Sequence, residues 1–270
     1  MKKDLRHALS RWTIYGLVVG LAAFLPKLSA ADHDGDDHDR DRDRNGPAVH
    51  PPNGQRVRPQ KVDRELRELM REVDDRRIEA TIKKLVSFGT RHTESSMTDP
   101  NRGIGAALNY VFSQMQGSAA ASHGRMTVER QTYHQPFVAG SILTPGGVDI
   151  TNIVATIKGS TTPNRVYVIT GHIDSRRTIV TDAVGDAPGA DDDASGTAVV
   201  MEVARVLAKH APESTIVLGV VDGEEQGLFG SRFMARSFAG ASALPSTNPF
   251  PGVRADIQAD FSNDIVGSST

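Results

Sequence analysis

Four short strings in the second half of the chain bring imidazole and carboxylate groups together in a spacing that suits a metal ion. The first is Gly171-His-Ile-Asp-Ser175, which follows the apolar, β-branched run Arg165-Val-Tyr-Val-Ile169. Such a run reads as a buried strand, so His172 and Asp174 stand where it ends, and strand alternation puts both on one face. The second is Pro188-Gly-Ala-Asp-Asp-Asp-Ala-Ser-Gly196, three carboxylates in a turn-rich loop ahead of the helical pattern Ala198 to Lys209, with Ser195 expected as its N-cap. Adjacent carboxylates repel one another unless a cation or a helix N-terminus offsets them. A bound cation is the economical explanation.

The third string, Asp222-Gly-Glu-Glu-Gln-Gly227, follows the apolar run Ser214 to Val221, and the fourth, Asn263-Asp-Ile-Val-Gly267, closes another strand-like stretch. Neighbouring glutamates at a strand end point in different directions, so of Glu224 and Glu225 one can coordinate a metal while the other stays free as a base. Imidazole with carboxylates drawn from several strand ends suits zinc better than magnesium or calcium. Taken singly, each acidic cluster has an ordinary reading as a solvated turn or a helix cap. A serine or cysteine hydrolase is disfavoured, since there is no cysteine and Ser195 lacks a Gly-x-Ser-x-Gly elbow.

These elements must be held by a scaffold. From Asn152 onward strands alternate with helices: strands at 153–157, 165–170, 215–221 and near 256–260, and helices from Ala198 and from Leu228 to about Phe238. That order implies an α/β fold with a largely parallel, mixed sheet covered by helices on both faces. In such sheets active sites gather at the carboxyl ends of the strands, where all four strings fall. Asp260 competes with Asp264 as a ligand, and the Ile-Val-Gly that follows favours Asp264.

In order along the chain, GHIDS, PGADDDASG, GEEQGLFGS and NDIVG, with the upstream IEATIKKLVSFGTRHT at Ile78 to Thr93, resemble the secreted di-zinc exopeptidases of the bacterial leucyl aminopeptidase, aminopeptidase S and Y, and glutaminyl cyclase type, the twenty-eighth metallopeptidase family. The resemblance runs from about Val62 to the end. It implies that His172 binds one zinc, that Asp192 bridges two, that Asp264 completes the first site, and that Glu225 serves the second. It further implies Glu224 as general base, Asp174 as the group orienting His172, and a cis peptide bond at Asp192-Asp193. The family takes its last second-site histidine from a segment well past the NDIVG-like aspartate, whereas this sequence runs six residues beyond Asp264. None of His50, His92, His123, His134 and His210 has a context suggesting a substitute. The expectation is therefore a catalytic domain with its C-terminal part missing, holding one zinc or fewer tightly.

Composition bounds the remainder. At 270 residues and 38% hydrophobic, one domain can bury a sizeable core. A formal charge of −2 with no basic stripe gives no sign of nucleic-acid binding. Residues 1–31 carry Lys2, Lys3, Arg6 and Arg11, an apolar run from Trp12 to Leu25, and small residues before Asp32. This is the pattern of a secretory signal peptide cut after Ala30 or Ala31, and the run falls short of the ~20 residues of a membrane span. Export to the periplasm or medium follows, without a stable membrane anchor after cleavage. Residues 32–61, rich in Asp, Arg and Pro, are expected to be a disordered linker in which His33 and His38 are solvated. Residues 62–270 then form the zinc peptidase domain, opening with a long helical pattern from Val62 to Phe88 that packs on the sheet rather than pairing as a coiled coil. The expected function is zinc-dependent hydrolysis of peptides by an exported aminopeptidase; carboxypeptidase or glutaminyl cyclase chemistry and a non-catalytic metal-binding fragment are the alternatives.

Overall fold

The structure, a computed structural model, describes residues 61, 63–137, 142–239 and 255–267. The signal-peptide reading of residues 1–31 and all but the last residue of the linker lie outside it. The described elements run α1 (Arg64–Glu72), α2 (Asp75–Val86), α3 (Ile104–Ala120), β1 (Met126–Gln135), β2 (Val148–Ile157), β3 (Thr162–His172), α4 (Ala194–Leu207), β4 (Ser214–Val221), α5 (Phe229–Phe238) and β5 (Asp256–Ser262).

The strands form one sheet in the order β1-β2-β4-β3-β5. β4 and β5 run parallel to β3, while β1 with β2 and β2 with β4 are antiparallel. The sheet is thus mixed in equal parts rather than largely parallel. Among the described residues no helix lies between β1 and β2, and the two strands pair antiparallel.

Strand alternation sorts the core into two layers. Ile153, Ala155, Ile157, Ile169, Ile216, Leu218 and Val220 face one side, where α3, α4, Leu85 and Leu69 cover them. Val154, Val166, Val168, Val217 and Val221 face the other, under Met234 and Phe238 of α5. β4 is buried along its whole length, which explains its unbroken apolar reading. β5 is the exposed edge of this assembly, with Ile257 on the surface. No described helix is long and apolar enough to cross a membrane.

Two further sequence expectations are corrected. The helical pattern from Val62 to Phe88 is two helices, because Val73 takes an extended conformation and Asp74 caps α2 through Arg76 N. The Asp74 N–H donates at 2.8 Å to Glu202, a buried carboxylate on α4 that also accepts from Arg205. A partner 128 residues away thereby holds the break. The N-cap of α4 is Asp193, not Ser195, whose hydroxyl instead donates to Asp191 O and accepts from Val266 N.

Candidate metal centre

β3, the N-terminus of α4, the turn after β4 and the residues after β5 converge at the carboxyl end of β3. Gly171 and Gly196 allow this approach, since a Cβ on Gly171 would lie 2.6 Å from the backbone of Gly196. α4 therefore seats its first turn directly on His172. The His172 N–H donates at 2.8 Å to Asp193, and Thr197 Oγ1 donates at 2.8 Å to the His172 carbonyl. Asp193 also accepts from Gly196 N at 2.8 Å, so this carboxylate is absorbed by the helix cap.

The His172 ring is buried. Its Nδ1 lies 3.2 Å from the Asp174 carbonyl and 3.5 Å from the Asp174 carboxylate. Its Nε2 faces Asp192 Oδ1 at 3.1 Å and Asp264 Oδ1 at 3.7 Å, yet it is a buried nitrogen with no hydrogen-bond partner. One ligand atom from each of His172, Asp192 and Asp264 lies within 4.8 Å of the other two, and this is the metal-ligating cluster among the described residues. An orphaned imidazole nitrogen converging with two half-exposed carboxylates is the donor set a zinc ion takes. The residues fit the metal.

Asp264 is brought in by Asn263, whose N–H and Nδ2 both donate to the Thr170 carbonyl, at 2.8 and 2.9 Å, tying the end of β5 to β3. The next residue, Ile265, has φ of 53°, a left-handed conformation that costs a β-branched side chain about 1–3 kcal/mol. Asp260 lies back along β5, away from the cluster. The Asp192-Asp193 peptide bond is cis.

Asp174 is fully buried and holds the turn after β4. Its two carboxylate oxygens accept from the N–H groups of Glu224, at 3.1 Å, and Glu225, at 3.0 Å, and Thr93 Oγ1 adds a contact at 3.3 Å. Glu224 lies within electrostatic reach of His172, Asp192 and Asp264. Burial first, with those carboxylates, raises its pKa above the usual range even though His172 acts the other way. Glu225 is not in the ligand cluster. Its carboxylate pairs with the guanidinium of Arg176, which holds its pKa down against a larger upward push from burial.

The site carries more negative than positive charge. Burial alone would lower the His172 pKa, but the hydrogen bond and charge of Asp174, with Asp193 and Glu224, outweigh it and raise the value to about 10. Burial raises Asp193 to about 7 despite its two N–H donors. Asp222, on the far side of Asp174, is pushed well above the carboxylate range by burial and by the Asp174 charge.

Sequence reading missed three residues. Arg91 is buried and its side chain donates to backbone carbonyls, and nothing in Thr90-Arg-His-Thr93 distinguishes it from a surface arginine. Thr93 bridges Asp174, Asp222 and Gln226. Arg176 follows GHIDS directly, so its place beside the site was the one readable signal. His92 is scaffold, as expected: Nδ1 accepts from Glu94 N, leaving Nε2 to donate to the Val180 carbonyl at 2.9 Å. His123, His134 and His210 lie at a turn, against Asp149, and against Glu72 respectively, all outside the cluster.

The sheet and the His-Asp-Asp cluster define an α/β domain with a candidate metal centre at its strand ends. Residues 152–268 match the model of Peptidase family M28, so this segment is similar to that family. Over 225 residues the chain is 51% identical to a probable zinc metalloprotease of Pyrenophora teres f. teres, covering 83% of this chain and 44% of that protein. A probable zinc metalloprotease of Pyricularia oryzae is 47% identical over 226 residues, covering 84% of this chain and 42% of its own. The chain thus spans under half the length of these curated relatives. Similar solved structures include the Legionella pneumophila LapA aminopeptidase (TM-score 0.56, 19% identity, 83% of this chain and 51% of that one) and a Fimbriiglobus ruber glutaminyl cyclase (TM-score 0.54, 19% identity, 71% and 61%). These structures share the fold.

Proposed function

We propose that the chain belongs to a zinc-dependent peptidase that removes N-terminal residues from peptides outside the cytoplasm. The observation that carries this reading is the buried, unpartnered Nε2 of His172 facing the carboxylates of Asp192 and Asp264. These three would hold the zinc, the number of protein ligands that leaves a catalytic zinc an open position. When bound, the metal supplies Lewis-acid polarisation of the scissile carbonyl and acidification of a water.

The chain's own residues do the rest. Glu224, held by its N–H on Asp174 and raised in pKa by burial, takes the proton of the attacking water and returns it to the leaving amine. Asp174 orients the His172 ring from the Nδ1 side and keeps Nε2 aimed at the cluster. Glu225, paired with Arg176, is not available to a second metal without breaking that ion pair, so one tightly held zinc per chain is the expected stoichiometry. The names of the Pyrenophora and Pyricularia relatives agree with a zinc peptidase. Export rests on the basic, apolar and small-residue pattern of residues 1–31. N-terminal sequencing of the processed protein should begin at Ala31 or Asp32; an intact Met1 would contradict it.

A glutaminyl cyclase is the second reading, because a single three-ligand cluster is a one-metal site. The zinc-loaded protein should be assayed on free aminoacyl peptides, acyl-blocked peptides and N-terminal glutaminyl peptides. Release of the first residue from free peptides alone is expected. Cyclisation of glutaminyl peptides without hydrolysis would select the second reading, and no turnover by folded, zinc-loaded protein would overturn both.

A further inference from the structure

Arg91 takes no part in the chemistry above, yet it is 1% exposed and sits against the loop that carries Asp192. A guanidinium stays charged and offers five N–H donors, so burying it is costly unless those donors are satisfied. Here backbone carbonyls from three segments satisfy them. Nε donates to Ile173 O at 2.7 Å, Nη1 to Pro188 O at 2.8 Å and to Leu85 O at 3.4 Å, and Nη2 to Gly189 O at 2.8 Å. Ile173 follows His172, and Pro188-Gly189 leads into Asp191, Asp192 and Asp193. One side chain therefore joins the backbone beside the imidazole to the backbone beside the carboxylates.

The backbone of Arg91 repeats the link. Its N–H donates to Ser175 Oγ at 3.2 Å, Ser175 N donates back to the Arg91 carbonyl at 3.3 Å, and Ser175 Oγ donates to Ala187 O at 2.7 Å. The Gly189 carbonyl is shared between Arg91 and the N–H of Ala194, the first residue of α4. Gly189 itself has φ of 42°, and a Cβ there would meet Asp192 O at 2.4 Å and Ser175 Cβ at 2.6 Å, so the loop has no slack at this point. Burial lowers the Arg91 pKa to about 10, and the charges of Asp174, Asp193 and Asp192 act against that in favour of the cation.

We propose that Arg91 is a positioning residue for the metal centre: its fork ties the loop to the β3 exit and sets the separation of the Asp192 carboxylate from His172 Nε2. This rests on the assignment of His172, Asp192 and Asp264 as ligands. A purely structural arginine would change stability while leaving the metal affinity of the folded protein alone. A lysine keeps the charge but, as a point donor, cannot span carbonyls on two segments as the planar fork does.

The test measures zinc affinity by chelator competition, and the visible absorption of the cobalt-substituted protein, under conditions where circular dichroism shows each variant folded. Arg91→Lys should weaken zinc binding by about 10- to 100-fold, the range for groups that orient ligands, and should change the cobalt spectrum. Ser175→Ala, which keeps the fork but cuts the links to the Arg91 N–H and to Ala187, should shift both in the same direction by less than Arg91→Lys does. Wild-type affinity and spectrum in folded Arg91→Lys would overturn the proposal. If that variant does not fold, Arg91→Gln, which likewise loses the fork, is read by the same two measurements, and wild-type affinity and spectrum in it overturn the proposal. His172→Ala is the control for the ligand assignment: retention of tight zinc there sinks that assignment irrespective of Arg91.

Discussion

Replacing Asp174 by asparagine isolates how the strand end and the turn after β4 are held together. The substitution keeps the shape of the side chain but leaves one acceptor oxygen where there were two. In the native protein those oxygens accept from Glu224 N at 3.1 Å and Glu225 N at 3.0 Å. One of these amides must then face an NH2 group, and a buried donor left unsatisfied costs about 1–3 kcal/mol. The other bond loses its charge assistance, worth roughly 1 kcal/mol. Against this, removing a buried negative charge beside Asp222 relieves a repulsion. The net expectation is a loss of about 1–3 kcal/mol in urea unfolding of the metal-free protein. Because Asp174 also steadies the His172 ring, zinc affinity should fall by about 10- to 100-fold, or roughly 1.4–2.8 kcal/mol of binding free energy. A variant within about 0.5 kcal/mol of wild type, the scale of an ordinary surface substitution, and with unchanged zinc affinity would refute the reasoning.

Glu224→Gln should lower turnover by ~100-fold or more while zinc content stays at the wild-type level; loss of zinc in this variant, by elemental analysis, would mean that Glu224 is a ligand. Asp192→Asn should weaken zinc binding far more than Asp191→Asn, since Asp192 faces His172 Nε2 at 3.1 Å, and equal affinities by calorimetry would remove Asp192 from the site. The folded Asp222 carboxyl titrates well above its unfolded value, so the fold holds a proton that the unfolded chain has released; its stabilising contribution is complete below about pH 4 and is lost as pH rises through the raised folded value. Asp222→Asn, which cannot ionise, should therefore flatten the decline in metal-free stability as pH rises above about 4, and an undiminished decline in denaturant titrations would count against it.

What the sequence made legible was whatever depends on local pattern. β3 and β4 read as buried strands because both faces are covered and their apolar runs are continuous. α4 read as a helix from its periodicity, and the four acidic strings read as one site because three close strands and the other leads into a helix. The parts that stayed hidden depend on distant partners. The break between α1 and α2 needs Glu202, and the capping role of Asp193 rather than Ser195 emerges only when β3 lies against the helix start. The aspartate triplet posed a choice between a cation and a helix N-terminus, and the fold uses separate carboxylates for each: Asp193 caps α4 while Asp192 faces His172. β1, with a mostly polar string, is a strand because β2 pairs along its whole length. The resemblance implies Glu225 as a ligand of a second metal; in this structure its carboxylate pairs with Arg176, outside the cluster of His172, Asp192 and Asp264.

The central claim is that His172, Asp192 and Asp264 together hold one zinc. An anomalous difference map recorded at the zinc absorption edge, from crystals grown with zinc, tests it most directly. One strong peak per chain is expected, about 2.0–2.2 Å from His172 Nε2 and from a carboxylate oxygen of Asp192 and of Asp264. A peak elsewhere, or none within bonding distance of His172, would contradict it.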